Sequence, residues 1–262
     1  MTAVRGERPR RAPRGRSRSL PNAAPGRMRV TQVGHSTVIV DTADLRLILD
    51  PYFGRHGNPA YRRRAPPARS REACLDVDAV LISHAHFDHV DRRYLRALAR
   101  DVPVFAPKRV AWLIALMCGR DVHAVEPWRE FMIGPAHVIP VTAWHTAPAV
   151  GFVISVEGKT LYFAGDTFVG RFMKEIGDRF HPDVCLMPVA RYGIPTTMGN
   201  AGAIEAAQLI RPRTIIPIHL GLEPRVPALR RAEDAESFRR LACGERLAAN
   251  IVSLEPGESY SW

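Results

Sequence analysis

Within Ser83-His84-Ala85-His86-Phe87-Asp88-His89, three imidazoles and a carboxylate fall inside six consecutive positions. Crowding such groups is costly, because histidines protonate against one another and a carboxylate near the interior needs a cationic partner. A divalent metal removes both conflicts. An H-x-H-x-D-H string arises by chance in a chain of this length with a probability of roughly one in a thousand, so ordinary core or surface residues account for it poorly. Neutral imidazole and carboxylate suit zinc, and the same donors accept manganese or iron.

Three more polar residues occupy one kind of place, the loop end of an apolar strand: His145 after Val141-Thr142-Ala143-Trp144, Asp166 after Phe163-Ala164-Gly165, and His219 after Ile216-Pro217-Ile218. If the sheets bring these ends together, they form one cluster with His84, His86, Asp88 and His89. His123 and His137 compete with His145, but both sit inside apparent strands and read more simply as sheet residues. His35 and Asp50 are expected to orient ligands through hydrogen bonds.

The elements that must position these groups follow from periodicity. Arg29 to Val40 and Leu45 to Asp50 predict an opening hairpin or meander, and Asp78 to Ser83 a buried strand that stops where the histidines begin. Helices are predicted over 91–100, 108–118, 171–180, 200–210 and 230–243, with Gly119 ending the second. Further strands are predicted over 102–106, 122–125, 136–141, 151–156, 160–164, 184–189, 214–218 and 250–254, with Glu157-Gly158 as a tight turn. Strands followed by helices, twice over, point to an α+β or mixed sandwich of two sheets between helical layers.

Composition narrows the remaining choices. The 262 residues are 46% hydrophobic, enough for one large core, and no apolar stretch approaches the ~20 residues that cross a bilayer. Cys74, Cys118, Cys185 and Cys243 are scattered without C-x-x-C spacing, and no signal-peptide region follows the N-terminus; a reduced, cytoplasmic protein is expected. The net charge is +11, of which residues 1–27 carry +7 through eight arginines and Glu7. That Pro- and Arg-rich segment is expected to be a disordered tail, with the folded domain spanning 28–262. It reads as a leader without function or a misassigned start before Met28, in preference to a nucleic-acid arm, since no aromatic residue is interleaved for base stacking. Tyr52 to Arg71 is a long aperiodic loop with six arginines; a solvated surface loop is the simpler account, and contact with an anionic substrate the alternative.

With these motifs in the order H-x-H-x-D-H, lone His, Gly-Asp-Thr and terminal His, the chain resembles the metallo-β-lactamase superfamily over roughly Met28 to Leu220. Gly34-His35-Ser36-Thr37, Leu49-Asp50-Pro51, Phe163-Ala164-Gly165-Asp166-Thr167 and Pro217-Ile218-His219 are similar to two neighbouring branches, one with the L-ascorbate-6-phosphate lactonase and the other with N-acylphosphatidylethanolamine phospholipase D. Ile82 to Asp91 is similar to the N-acylphosphatidylethanolamine phospholipase D branch. The resemblance implies a four-layer αββα fold with a binuclear centre, usually zinc, at one edge. His84, His86 and His145 would hold the first metal, Asp88, His89 and His219 the second, and Asp166 would bridge; Asp88 and His145 are the expected catalytic residues.

The reaction expected is hydrolysis, in which a hydroxide shared by two metals attacks an ester, lactone or phosphodiester of a small anionic molecule. A nuclease guided by the arginine tail, an N-acyl phospholipid phosphodiesterase and a non-catalytic scaffold are the rivals. The complete ligand set disfavours the scaffold, and the absence of a strongly amphipathic basic helix disfavours membrane attachment.

Overall fold

The computed structural model describes residues 22–54, 58–193, 195–230 and 233–262, so most of the expected tail lies outside the described residues. From Arg29 the chain builds β1 (Arg29–Gly34), β2 (Thr37–Asp41), β3 (Arg46–Leu49), β4 (Tyr61–Arg63), β5 (Ala79–Leu81), α1 (Arg92–Ala97), β6 (Val104–Pro107), α2 (Lys108–Cys118) and β7 (His123–Val125). It continues through β8 (Phe131–Ile133), β9 (Ala136–Thr142), β10 (Val150–Val156), β11 (Lys159–Phe163), α3 (Phe172–Phe180), β12 (Val184–Pro188) and α4 (Gly199–Ile210). The last elements are β13 (Thr214–Ile218), β14 (Leu222–Pro224), α5 (Ala235–Gly244), β15 (Asn250–Ile251) and β16 (Ser259–Ser261).

Two seven-stranded sheets result, ordered β16-β1-β2-β3-β5-β6-β7 and β15-β13-β12-β11-β10-β9-β8, with β4 and β14 forming a separate pair. Successive side chains of a strand face opposite ways, and that alternation sorts the core into three apolar layers. Val38, Val40, Leu47 and Leu49 of the first sheet meet Phe152, Ile154, Leu161 and Ile216 of the second between the sheets. Ile39, Ile48 and Val80 face outward onto Tyr94, Leu95 and Ile114 of α1 and α2. Val153, Tyr162 and Ile215 face outward onto Met173, Ala203, Ile204 and Phe238 of α3, α4 and α5. Three apolar layers between four structural layers are the expected αββα sandwich. Strands covered on both faces have no polar side, which is why they read in sequence as unbroken apolar runs.

Several local expectations needed adjustment. Arg29 to Val40 is two strands, turned at His35-Ser36. The helix expected from Arg230 starts at Ala235, because Asp234 and Ser237 form a reciprocal capping box that sets its first turn. β4, β8 and β16 span three residues each, too few for any period to show; β4 and β16 exist through pairing with distant partners, and β8 through a hairpin with β9. Glu157 and Gly158, both at positive φ, make the tight turn between β10 and β11. All four cysteines are free, and only Cys243 is exposed.

Candidate metal centre

The strands that carry site residues run in one direction. β3 and β5 are parallel, β11, β12 and β13 are parallel, and β9 shares their direction through two antiparallel steps across β10. Their C-terminal ends therefore meet at one edge of the sandwich. Asp50 follows β3, Ser83 and His84 follow β5, His145 follows β9, Asp166 follows β11, and His219 follows β13. His35 reaches the same edge from the β1–β2 turn. His35, Asp50 and His219 hold left-handed backbone conformations, which non-glycine residues rarely adopt and which cluster where a site over-determines the chain.

Each ring in the cluster is locked by what its second nitrogen touches. Ser83 Oγ donates to Asp50 Oδ2 at 2.5 Å and lies 2.9 Å from His84 Nδ1, so His84 Nδ1–H is the donor to Ser83. His89 Nδ1–H donates to the same Asp50 oxygen at 2.7 Å. His145 Nδ1 donates to the Thr196 carbonyl and His219 Nδ1 to the Ala190 carbonyl, each at 2.8 Å. Four imidazoles thus turn Nε2 toward the centre. His35 is built the other way: the Gly221 amide donates to its Nδ1 at 3.3 Å, so its Nε2–H faces Asp88 Oδ2 at 3.2 Å. It holds a carboxylate and has no lone pair to offer a metal.

The inward atoms form two adjoining groups. His84, His86 and His145 bring one ligand atom each within 4.8 Å of the others, as do Asp88, His89 and His219 together with His35. His145 Nε2 stands 3.1 Å from His86 Nδ1. Asp166 Oδ2 lies 3.1 Å from His219 Nε2 and 3.6 Å from His89 Nε2. Meanwhile His84 Nε2, His89 Nε2 and Asp166 Oδ1 are buried with no hydrogen-bond partner in the protein. Buried polar atoms are nearly always paired, so these orphaned atoms fit a divalent cation.

The electrostatics agree. Burial opposes ionisation of Asp88 and Asp166, yet the surrounding histidines hold both below the usual carboxylate range. Burial likewise disfavours a charge on His89, but Asp166, Asp50 and Asp88 outweigh it and raise the imidazole to about 10. The carboxylates demand positive charge between them, and a divalent cation would supply it in place of that proton. Burial, reinforced by the neighbouring imidazoles, lowers His84 well below its ordinary value and brings His145 down to about 4, which keeps both neutral as metal donors.

His123 and His137 lie elsewhere. The first stacks on Phe105 at the sheet edge, and the second pairs with Glu130 at 2.7 Å on the surface. Four of the six arginines of the long loop have partners within the protein: Arg62 and Arg64 pair with Glu223, Arg71 with Asp91, and Arg63 is buried over the Tyr52 ring. Sequence reasoning missed Ser83, Tyr192 and the carbonyls of Ala190 and Thr196. Ser83 adjoins the motif and could have been suspected; backbone carbonyls leave no trace in a sequence.

A two-sheet αββα sandwich with buried histidines and carboxylates gathered at one edge defines a metal-dependent hydrolase architecture. Residues 45–220 match the family model described as the beta-lactamase superfamily domain. A UPF0173 metal-dependent hydrolase of Archaeoglobus fulgidus is 30% identical over 254 residues, covering 90% of this chain and 99% of the relative. A counterpart from Methanopyrus kandleri is 31% identical over 257 residues, covering 89% and 99%. A solved metallo hydrolase from Ignicoccus hospitalis superposes with a TM-score of 0.73 at 24% identity, covering 90% of this chain and 98% of its own. The chain belongs to the metallo-β-lactamase superfamily, and it is a metal-dependent hydrolase.

Proposed function

We propose that residues 28–262 form a hydrolase domain that cleaves an ester, lactone or phosphodiester bond with two divalent cations, zinc first among the candidates. His84, His86 and His145 would hold one ion, Asp88, His89 and His219 the other, with Asp166 between them. The carrying observation is the opposition of locked and orphaned atoms: outer ring nitrogens satisfied by protein partners, His84 Nε2, His89 Nε2 and Asp166 Oδ1 satisfied by none. When bound, the cations supply Lewis-acid activation of water and of the scissile oxygen near neutral pH. Asp88, kept anionic and held by His35, orients the attacking water by accepting its hydrogen bond. His145, half-buried beside His86, is held by the Thr196 carbonyl so that its Nε2 faces the first of these ions.

The L-ascorbate-6-phosphate lactonase and N-acylphosphatidylethanolamine phospholipase D branches define the substrates to try first. Free cysteines suit a reducing cytoplasm, and among the described residues no helix is long and apolar enough to cross a membrane. Metal-loaded protein should be screened against lactones, phosphodiesters and N-acyl phospholipids, with its metal content measured in parallel. Close to two ions per chain are expected, and His84→Ala with Asp88→Ala should abolish both metal binding and turnover. A fully active metal-free protein overturns the reading.

A further inference from the structure

Two large aromatic rings stand exposed as peptide neighbours of the cluster residues. Phe87, between His86 and Asp88, is 41% exposed, and Trp144, next to His145, is 54% exposed. Isolated exposed aromatics are common on proteins; these two are set apart by what holds them.

Phe87 heads a continuous aromatic wall. Its ring stacks on Tyr61 with centroids 6.3 Å apart and planes 24° apart, and Tyr52 meets it edge-on at 6.1 Å. Tyr61 packs at 5.8 Å on Tyr192, which stacks at 4.5 Å on His219. The wall runs from solvent to the cluster without a break. Tyr61 is fixed from below by β4, which pairs with β14, and by its hydroxyl, which donates to the Tyr192 carbonyl at 3.3 Å.

Trp144 precedes His145, whose Nε2 stands 3.1 Å from Nδ1 of His86, the residue before Phe87. The Trp144 backbone bridges to Phe168, its amide donates to Thr167 Oγ1 at 2.9 Å, and its ring meets Phe172 edge-on at 5.6 Å. The two rings therefore rise from the peptide neighbours of one contacting histidine pair, His86 and His145. Nothing in the core requires either to be aromatic, since much of each ring faces water. Four of the arginines that suggested an anionic substrate instead meet Glu223, Asp91 and the Tyr52 ring.

Building on the hydrolytic reading, we propose that Phe87, Tyr61 and Trp144 form a subsite for a flat apolar or aromatic group carried by the substrate next to its scissile bond. Rigid rings bind such groups by stacking, with little side-chain entropy to lose. Selectivity then resides in what flanks the bond more than in a charged anchor.

Binding of benzylphosphonate and methylphosphonate to the metal-loaded protein, measured by calorimetry, tests the subsite without requiring turnover. Benzylphosphonate is expected to bind about tenfold more tightly. That ratio should fall toward one in Phe87→Ala and in Trp144→Ala, and survive in Phe87→Tyr. Equal affinity of the two ligands, no measurable binding of either, or an unchanged ratio in both alanine variants overturns the proposal. Hydrolysis of phenyl acetate and methyl acetate by the same preparation is read separately. Benzyl-selective binding with no hydrolysis of any substrate class would sink the reaction assignment and leave the subsite standing.

Discussion

Asp50 and His89 meet through a 2.7 Å hydrogen bond from the imidazole Nδ1 to the carboxylate Oδ2, with both side chains fully buried. The same carboxylate receives the amide and hydroxyl of Ser83, and Ser83 in turn orients His84. One residue at the end of β3 thus aims a ring toward each proposed metal. Asp50→Asn keeps the shape but replaces an oxygen acceptor with an amide. It is expected to weaken metal retention by about 10–100-fold, as loss of such outer partners does. Chelator competition on purified protein checks this; wild-type retention would refute the orienting role.

His35 lies near Asp88 and His219 but presents a proton where the other rings present lone pairs. His35→Ala should therefore lower metal affinity and activity while two ions still bind at saturation. Asp88→Ala should lose one ion outright. Titration with metal, read as ions bound per chain, separates orienting from ligating residues; a stoichiometry of one in His35→Ala would make it a ligand.

Cations that bind the folded chain at this edge and not the unfolded one stabilise it by mass action, about 2.7 kcal/mol at a hundredfold excess over Kd. Chelation is accordingly expected to lower Tm by roughly 5–10 °C, reversibly on adding metal back. An unchanged melting curve would show that the cluster holds no ion of consequence.

Gly165 couples the two halves of the site. It sits at φ +59°, and a Cβ there would lie 2.6 Å from Ser83 Cβ. Gly165→Ala should cost about 2–4 kcal/mol in urea unfolding, combining left-handed strain with collision, and should reduce activity by shifting Ser83. Gly119, at φ +60° with nothing within 4 Å, is the control: Gly119→Ala carries the strain alone, about 1–2 kcal/mol. Equal losses in the two variants would mean that the contact with Ser83 does not matter.

Asp234 caps α5 by accepting from the Ser237 amide at 2.7 Å. That bond is the main reason its carboxyl lies below the usual range. A lowered folded pKa means the cap stabilises fully above the unfolded value and is lost as pH falls through the folded one. Asp234→Ala should cost about 1 kcal/mol at neutral pH. The gap to wild type should hold down to about pH 4 and narrow below it. A gap independent of pH across that window would exclude the charged cap.

Much of the site was legible before any coordinates. His84, His86, Asp88 and His89 are adjacent, so local spacing alone marks them. His145, Asp166 and His219 were found because each ends an apolar strand, and parallel strands of one sheet deliver their ends to one edge. Asp50 and His35 were anticipated as orienting residues; Ser83, Tyr192 and the two carbonyls were not, because their roles arise only from proximity in space. The arginine loop shows the same limit: its charge is plain in sequence, while Glu223, which pairs with Arg62 and Arg64, lies far along the chain.

The order of amino acids alone determined the motif, most of the strand and helix pattern and the class of two sheets between helical layers, since each depends on periodicity or on neighbours in the chain. Tertiary structure decided which histidine joins the cluster, which way every ring points and which charges are already matched. Those outcomes depend on distances between residues far apart in the chain, and only the packed sandwich sets such distances.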